Sequence, residues 1–158
     1  MKKFHLPALI AAILICQTAG LVGSVFTFSA IPTWYATLSK PIISPPNWVF
    51  GPVWTILFTL MGISAYLVWQ EGWQKKQVKD ALRTFGEQLV LNALWSILFF
   101  GLKNPLLAFV EIIFLWILIV ATMVKFYRLN NWAAYLLLPY LIWVSFASIL
   151  NGAIVVLN

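Results

Sequence analysis

Charged side chains are nearly missing from this chain, at 9% of its 158 residues, whereas a soluble domain carries about a quarter. Water is therefore not its main solvent. A single cysteine, Cys16, excludes an internal disulfide and any multi-cysteine metal site. The bulky run Ile13-Leu14-Ile15 in front of it argues against lipoprotein processing. The one histidine, His5, lies at the N-terminal edge of the first apolar run, so neither a histidine-based metal site nor axial haem ligation is indicated. A glycine-rich phosphate loop and a nucleophile–base pair are missing too, which leaves chemistry by side chains alone without support. The net charge of +6 does not read as nucleic-acid binding, because the basic residues are scattered between apolar runs and form no stripe among aromatics.

What fills the chain instead is apolar, 63% of its residues. These fall into runs of about twenty, the length that crosses a hydrocarbon core of roughly 30 Å as a helix. Five such segments are read, at 6–28, about 46–69, about 82–102, 105–127 and 132–157. The joints carry breakers or charge: Ser44-Pro45-Pro46-Asn47, the stretch 71–80, Lys103-Asn104-Pro105 and Arg128-Leu129-Asn130-Asn131. The fold class that follows is all-α, an integral membrane bundle of five transmembrane helices forming one domain over 1–158. Lys2 and Lys3 ahead of the first run resemble a secretory signal, but the run lacks a clear cleavage site and is read as a retained span. Pro105 suits a first helical turn, while Pro139 lies inside the fifth segment and should kink it.

The third segment is the ambiguous one, since its uninterrupted apolar part, 89–102, is also short enough for a buried or re-entrant piece. Basic residues help to decide. Five spans put Lys2, Lys3, Lys75, Lys76, Lys79, Arg83, Lys125 and Arg128 on one side and only Lys40 and Lys103 on the other, eight against two. Four spans give seven against three. The positive-inside bias prefers the five-span topology, with a cytoplasmic N-terminus in a bacterial plasma membrane.

The connection 29–47 has no apolar run of its own and holds Pro32, Trp34, Tyr35, Pro41, Pro45 and Pro46. Prolines restrict the backbone and aromatics prefer an interface or a pocket mouth, so an ordered cap over one end of the bundle is predicted. Anchoring of Trp34 and Tyr35 at the headgroups is the other open reading.

Polar side chains within hydrocarbon normally face protein, so their spacing marks inward faces. Gln88, Asn92, Trp95 and Phe99 align on one face of the third segment; Phe50, Trp54 and Phe58 do so on the second; and Trp143, Ala147 and Leu150, with Asn151 beside them, on the fifth. Such stripes also serve ordinary helix packing. Of nine tryptophans, interfacial belts can take Trp34, Trp48, Trp69, Trp73 and Trp132, whereas Trp54, Trp95, Trp116 and Trp143 lie well inside their segments and need another reason. Indoles stack on flat conjugated molecules, and their N–H can fix orientation. Glu111 is the one acidic residue well inside a span, a candidate for proton coupling or a buried hydrogen bond, although its closeness to Pro105 favours a place near the headgroups. Cys16, Gly20 and Ser24, with Ala19 and Gly23 alongside, form a small-residue pattern open to two uses, a homodimer or packing within the monomer.

Four ordered blocks carry a resemblance that covers nearly the whole chain. They are Trp34-Tyr35-x-x-Leu38-x-Lys40-Pro41 followed by Pro45-Pro46-x-Trp48-x-x-Gly51-Pro52-Val53-Trp54; Gln88-Leu89-x-Leu91-Asn92-x-x-Trp95; Phe99-Phe100-Gly101; and Pro139-Tyr140-Leu141-x-Trp143-x-x-Phe146-Ala147-x-x-Leu150-Asn151. The chain resembles the TspO/MBR family, the translocator proteins, also called tryptophan-rich sensory proteins or peripheral-type benzodiazepine receptors. The resemblance implies a five-helix bundle, often a homodimer, with no covalently bound cofactor. It would bind porphyrins and other tetrapyrroles, as well as other large apolar ligands, under the first loop. By position the ligand-lining residues would be Tyr35, Trp54, Phe58, Asn92, Trp95, Trp143, Phe146, Ala147 and Leu150. An enzymatic alternative, light-dependent oxidative degradation of porphyrin, would use Tyr35, Trp54 and Trp143 as catalytic candidates, and a proton-coupled exporter of hydrophobic cations would lean on Glu111. The sterol motif of animal members needs a tyrosine followed by a basic residue, and this chain has Gly152-Ala153-Ile154-Val155-Val156-Leu157 there.

Overall fold

The computed structural model describes residues 4–158, and all of their regular structure is helical. The helices are α1 (Leu6–Ala30), α2 (Phe50–Trp69), α3 (Lys76–Ser96), α4 (Pro105–Tyr127), α5 (Asn131–Leu136) and α6 (Leu138–Leu157). α1 and α3 each end in a wider π turn, Ile31–Tyr35 and Ile97–Gly101, and a 3-10 turn at Asn47–Val49 leads into α2. The stretches Leu6–Tyr35, Asn47–Trp69, Pro105–Tyr127 and Asn131–Leu157 are long and apolar enough to cross a membrane. The chain is an integral membrane helical bundle.

Local chemistry explains where the helices start. Asn104 Oδ1 accepts from the Leu107 amide at 3.0 Å and Pro105 follows it, so α4 begins with a side-chain cap and a residue that has no amide to lose. Asn130 Oδ1 caps α5 by accepting from Ala133 N at 3.2 Å. The kink expected at Pro139 is a full break: α5 stops at Leu136, α6 starts at Leu138, and Pro139 falls in the first turn of α6, where its missing amide costs nothing.

The third helix departs most from expectation. It starts at Lys76, well before 82, with Lys79, Asp80, Arg83 and Glu87 in its first turns, and these charges leave it outside the set of strongly apolar stretches. A helix satisfies its own backbone in water or lipid alike, so charge does not stop it. Lys125 of α4 donates to Asp80 Oδ2 at 2.7 Å and to Thr84 Oγ1 at 2.9 Å, tying these turns to the bundle. That hydrogen bond, with the lysine's charge, holds the Asp80 carboxyl below its usual range.

Small residues set the helix spacing. A β-carbon on Gly62 would lie 2.5 Å from the Ile13 Cα, so α1 and α2 touch backbone to backbone. Gly20 lies against the Phe58 ring, Gly23 against Ser96, and Cys16 and Ala19 are buried. The small-residue face of α1 is thus used for packing within the monomer. Between α4 and α6, Asn151 Nδ2 donates to the Pro105 carbonyl at 2.8 Å, and Gly152 makes room for Phe109.

Candidate functional site

α1, α2, α3, α4 and α6 enclose a cavity of about 480 Å³ beneath the connection after α1, within the roughly 300–1,000 Å³ of small-molecule sites. On α2, Trp54 stacks on Phe58 with centroids 5.4 Å apart and meets the edge of Tyr140 at 6.2 Å. On α6, Trp143 stands against Phe50 at 6.0 Å, with Ala147 and Leu150 further along the same wall. On α3, Trp95 stacks on Phe99 at 5.0 Å and donates its indole N–H to Asn151 Oδ1 at 3.0 Å. The other end of that amide holds the first turn of α4, so the Trp95 ring is fixed through two helices.

A polar chain backs this wall. Asn92, which lines the cavity, donates from Nδ2 to the Tyr140 hydroxyl at 2.9 Å, and that hydroxyl donates to Gln88 Oε1 at 2.8 Å. Tyr140 and Gln88 are each 1% exposed. Removing the hydroxyl in Tyr140→Phe strands the Asn92 donor and the Gln88 acceptor, and thermal unfolding in detergent is expected to show a loss of about 1–3 kcal/mol. An unchanged transition would mean that the chain of bonds is not formed.

The connection above the cavity is an ordered cap. Tyr35 is 6% exposed and packs on Phe99 and Phe100. Lys40 Nζ sits 4.7 Å from the Tyr35 ring centroid and donates to the Tyr35 carbonyl at 2.8 Å. The Asn158 side chain grips the Ser39 backbone at both ends, accepting from its amide and donating to its carbonyl, each at 3.0 Å.

Tyr35, Trp54, Phe58, Asn92, Trp95, Trp143, Ala147 and Leu150 all line this one cavity. Phe146 does not: one residue before Ala147, it points about 100° away around the helix and rests on the Trp143 ring at 5.7 Å. Trp116, expected inside, lies outside the cavity, with its N–H given to Ser145 Oγ at 2.8 Å and its ring 37% exposed. Glu111, expected near the headgroups, is only 7% exposed, and neither carboxyl oxygen has a hydrogen-bond partner among the described residues. α6 and the π turn of α3 cover the first turns of α4, which buries Glu111 sideways among the helices. Glu111 is not part of the cavity wall. Sequence reasoning missed Gln17, Gly20, Ser24 and Thr27 of α1 and Ser96 of α3, which also line it. The α1 residues repeat at helical spacing, a polar face that could have been read beside the small-residue pattern.

A profile described as the TspO/MBR family matches residues 12–157. The tryptophan-rich protein TspO of Archaeoglobus fulgidus is 51% identical over 151 residues, covering 95% of this chain and 96% of that protein. The translocator protein of Homo sapiens is 42% identical over 82% of this chain and 78% of its own length. The tryptophan-rich sensory protein of Cereibacter sphaeroides is 40% identical over 79% and 77%.

Proposed function

The chain belongs to the TspO/MBR family, and from that premise we propose that it is a membrane receptor or transporter for tetrapyrroles, porphyrins and haem precursors, held in the cavity under its first loop. The observation that carries this reading is that Trp54, Trp95 and Trp143, from three helices, line a single cavity with few polar groups. A flat conjugated ring finds indole faces there, and Asn92 offers a polar edge. In the same reading α3 is the fifth span, its charged first turns lying with the other basic residues on the cytoplasmic side of a bacterial plasma membrane, and the protein works as a homodimer. Because Tyr35, Trp54 and Trp143 line the same cavity, a bound porphyrin would lie beside oxidisable side chains, which supports light-dependent degradation as a second reading. The exporter reading has no carboxylate in the cavity to draw on, since Glu111 stands outside it.

Titration of the purified protein with protoporphyrin, followed by tryptophan quenching, tests the proposal. Wild type should saturate. Ala147→Phe, which fills part of the cavity, should weaken binding by about tenfold, or 1.4 kcal/mol, with the helical content retained. Quenching that never saturates in wild type would overturn the binding reading.

A further inference from the structure

The cavity is not closed on all sides. Toward α3, α4 and α6 its wall is sealed: Asn92, Ile112, Leu115 and Leu150 are all buried. Toward the seam between α1 and α2 it is open, because Leu21, Phe28 and Trp48 line the cavity and are at the same time 64%, 77% and 74% exposed. A residue that faces both a cavity and the outside marks a mouth. Gly51 lies at this mouth, exposed, and a β-carbon built on it meets nothing within 4 Å.

The lower part of the seam is shut. Gly62 lies against the Ile13 backbone, and one turn above it Gln17 Nε2 donates to the Thr55 carbonyl at 3.0 Å and to Thr59 Oγ1 at 3.1 Å. Above that bridge Gly20 still rests on the Phe58 ring, while Gln17, Leu21, Ser24 and Phe28 of α1 line the cavity, and among the described residues Gln17 Oε1 accepts no hydrogen bond. Both helices belong to stretches long and apolar enough to cross a membrane, so in a bilayer the gap would open toward lipid. The roof, which would face water, is held by Lys40 on Tyr35 and by Asn158 on Ser39.

We propose that this slot between α1 and α2 is the passage by which ligands reach the cavity sideways from the bilayer, and that it selects flat apolar molecules already dissolved in lipid, with Gln17 meeting their polar edge. The inference rests on the binding reading above and adds the route and the class of ligand. A slot set by Gly51 has a specific kinetic signature, because a plug slows passage in both directions whereas a damaged site only speeds release.

The experiment uses the full chain in lipid nanodiscs, with protoporphyrin delivered from vesicles and tryptophan quenching followed by stopped flow. Gly51→Trp, which has room to fold, should slow association and dissociation together, each by about tenfold. Unchanged association in Gly51→Trp, or faster association in Asn158→Ala alone, would make the roof the route and overturn the proposal. A ligand-free arm separates the two ideas. In a Cys16→Ala background, Gly51→Cys should react with a pyrene maleimide dissolved in the bilayer and not with a charged maleimide in water. The reverse labelling sinks the slot even if porphyrin binds, while saturation failing in wild type with lipid-side labelling intact sinks only the binding reading.

Discussion

Trp54→Ala combined with Trp143→Ala is expected to weaken protoporphyrin binding by about 100-fold or more, equivalent to roughly 2.8 kcal/mol. Each indole contributes on two accounts. Burying a large apolar side chain against a ligand is worth about 1.5–3 kcal/mol when complete, and an aromatic pair adds roughly 0.5–1.5 kcal/mol. Both rings are already half-buried against protein, so only part of the first amount is gained on binding. The rings lie on α2 and α6 and share one cavity, so their effects need not add. Each single variant is expected to cost about tenfold. Phe58 and Phe50, which back the two indoles, stay in place, and a thermal unfolding curve in detergent checks that the bundle survives. Wild-type affinity in the double variant would mean that porphyrin sits elsewhere.

Gly62→Leu is expected to be the most damaging single change to the fold. Overpacking usually costs about 1–3 kcal/mol because neighbouring side chains can yield. Here the nearest atoms are the Cα and N of Ile13, at 2.5 and 2.8 Å from the added β-carbon, and backbone inside a helix cannot move alone. α1 would have to shift as a body, taking Gln17 away from Thr55 and Thr59. A loss of about 3 kcal/mol or more is expected, read as a lowered unfolding temperature in detergent. Gly86→Leu on α3 provides the comparison, because nothing lies within 4 Å of its β-carbon and leucine favours a helix over glycine by several tenths of a kcal/mol or more. Equal melting of the two variants would show that α1 and α2 do not meet at Gly62.

The inward stripes were legible because they depend only on helical period. Gln88, Asn92 and Trp95 stand one turn apart, and hydrocarbon leaves amides no other partner than protein. Where a helix lies in relation to its neighbours is a different kind of information. Trp116 and Trp143 look alike by depth in their segments, yet one finds Ser145 on the outer side and the other turns into the cavity. The burial of Glu111 comes from α3 and α6, which its position along its own helix does not reveal. The two π turns were not legible either. Ile31–Tyr35 carries α1 onward into what read as a connection, and the extra residue per turn has no signature in residue type. Phe146 was carried into the pocket by family position, and the 100° step from Ala147 takes it out again.

The clasp between Ser39 and Asn158 joins positions 119 residues apart. During synthesis the chain is made from the other end, so α1, α2 and the unclasped roof exist well before residue 158 leaves the ribosome. Until then the roof lacks this fastener, and removing the Asn158 side chain would leave Ser39 without it in the folded bundle.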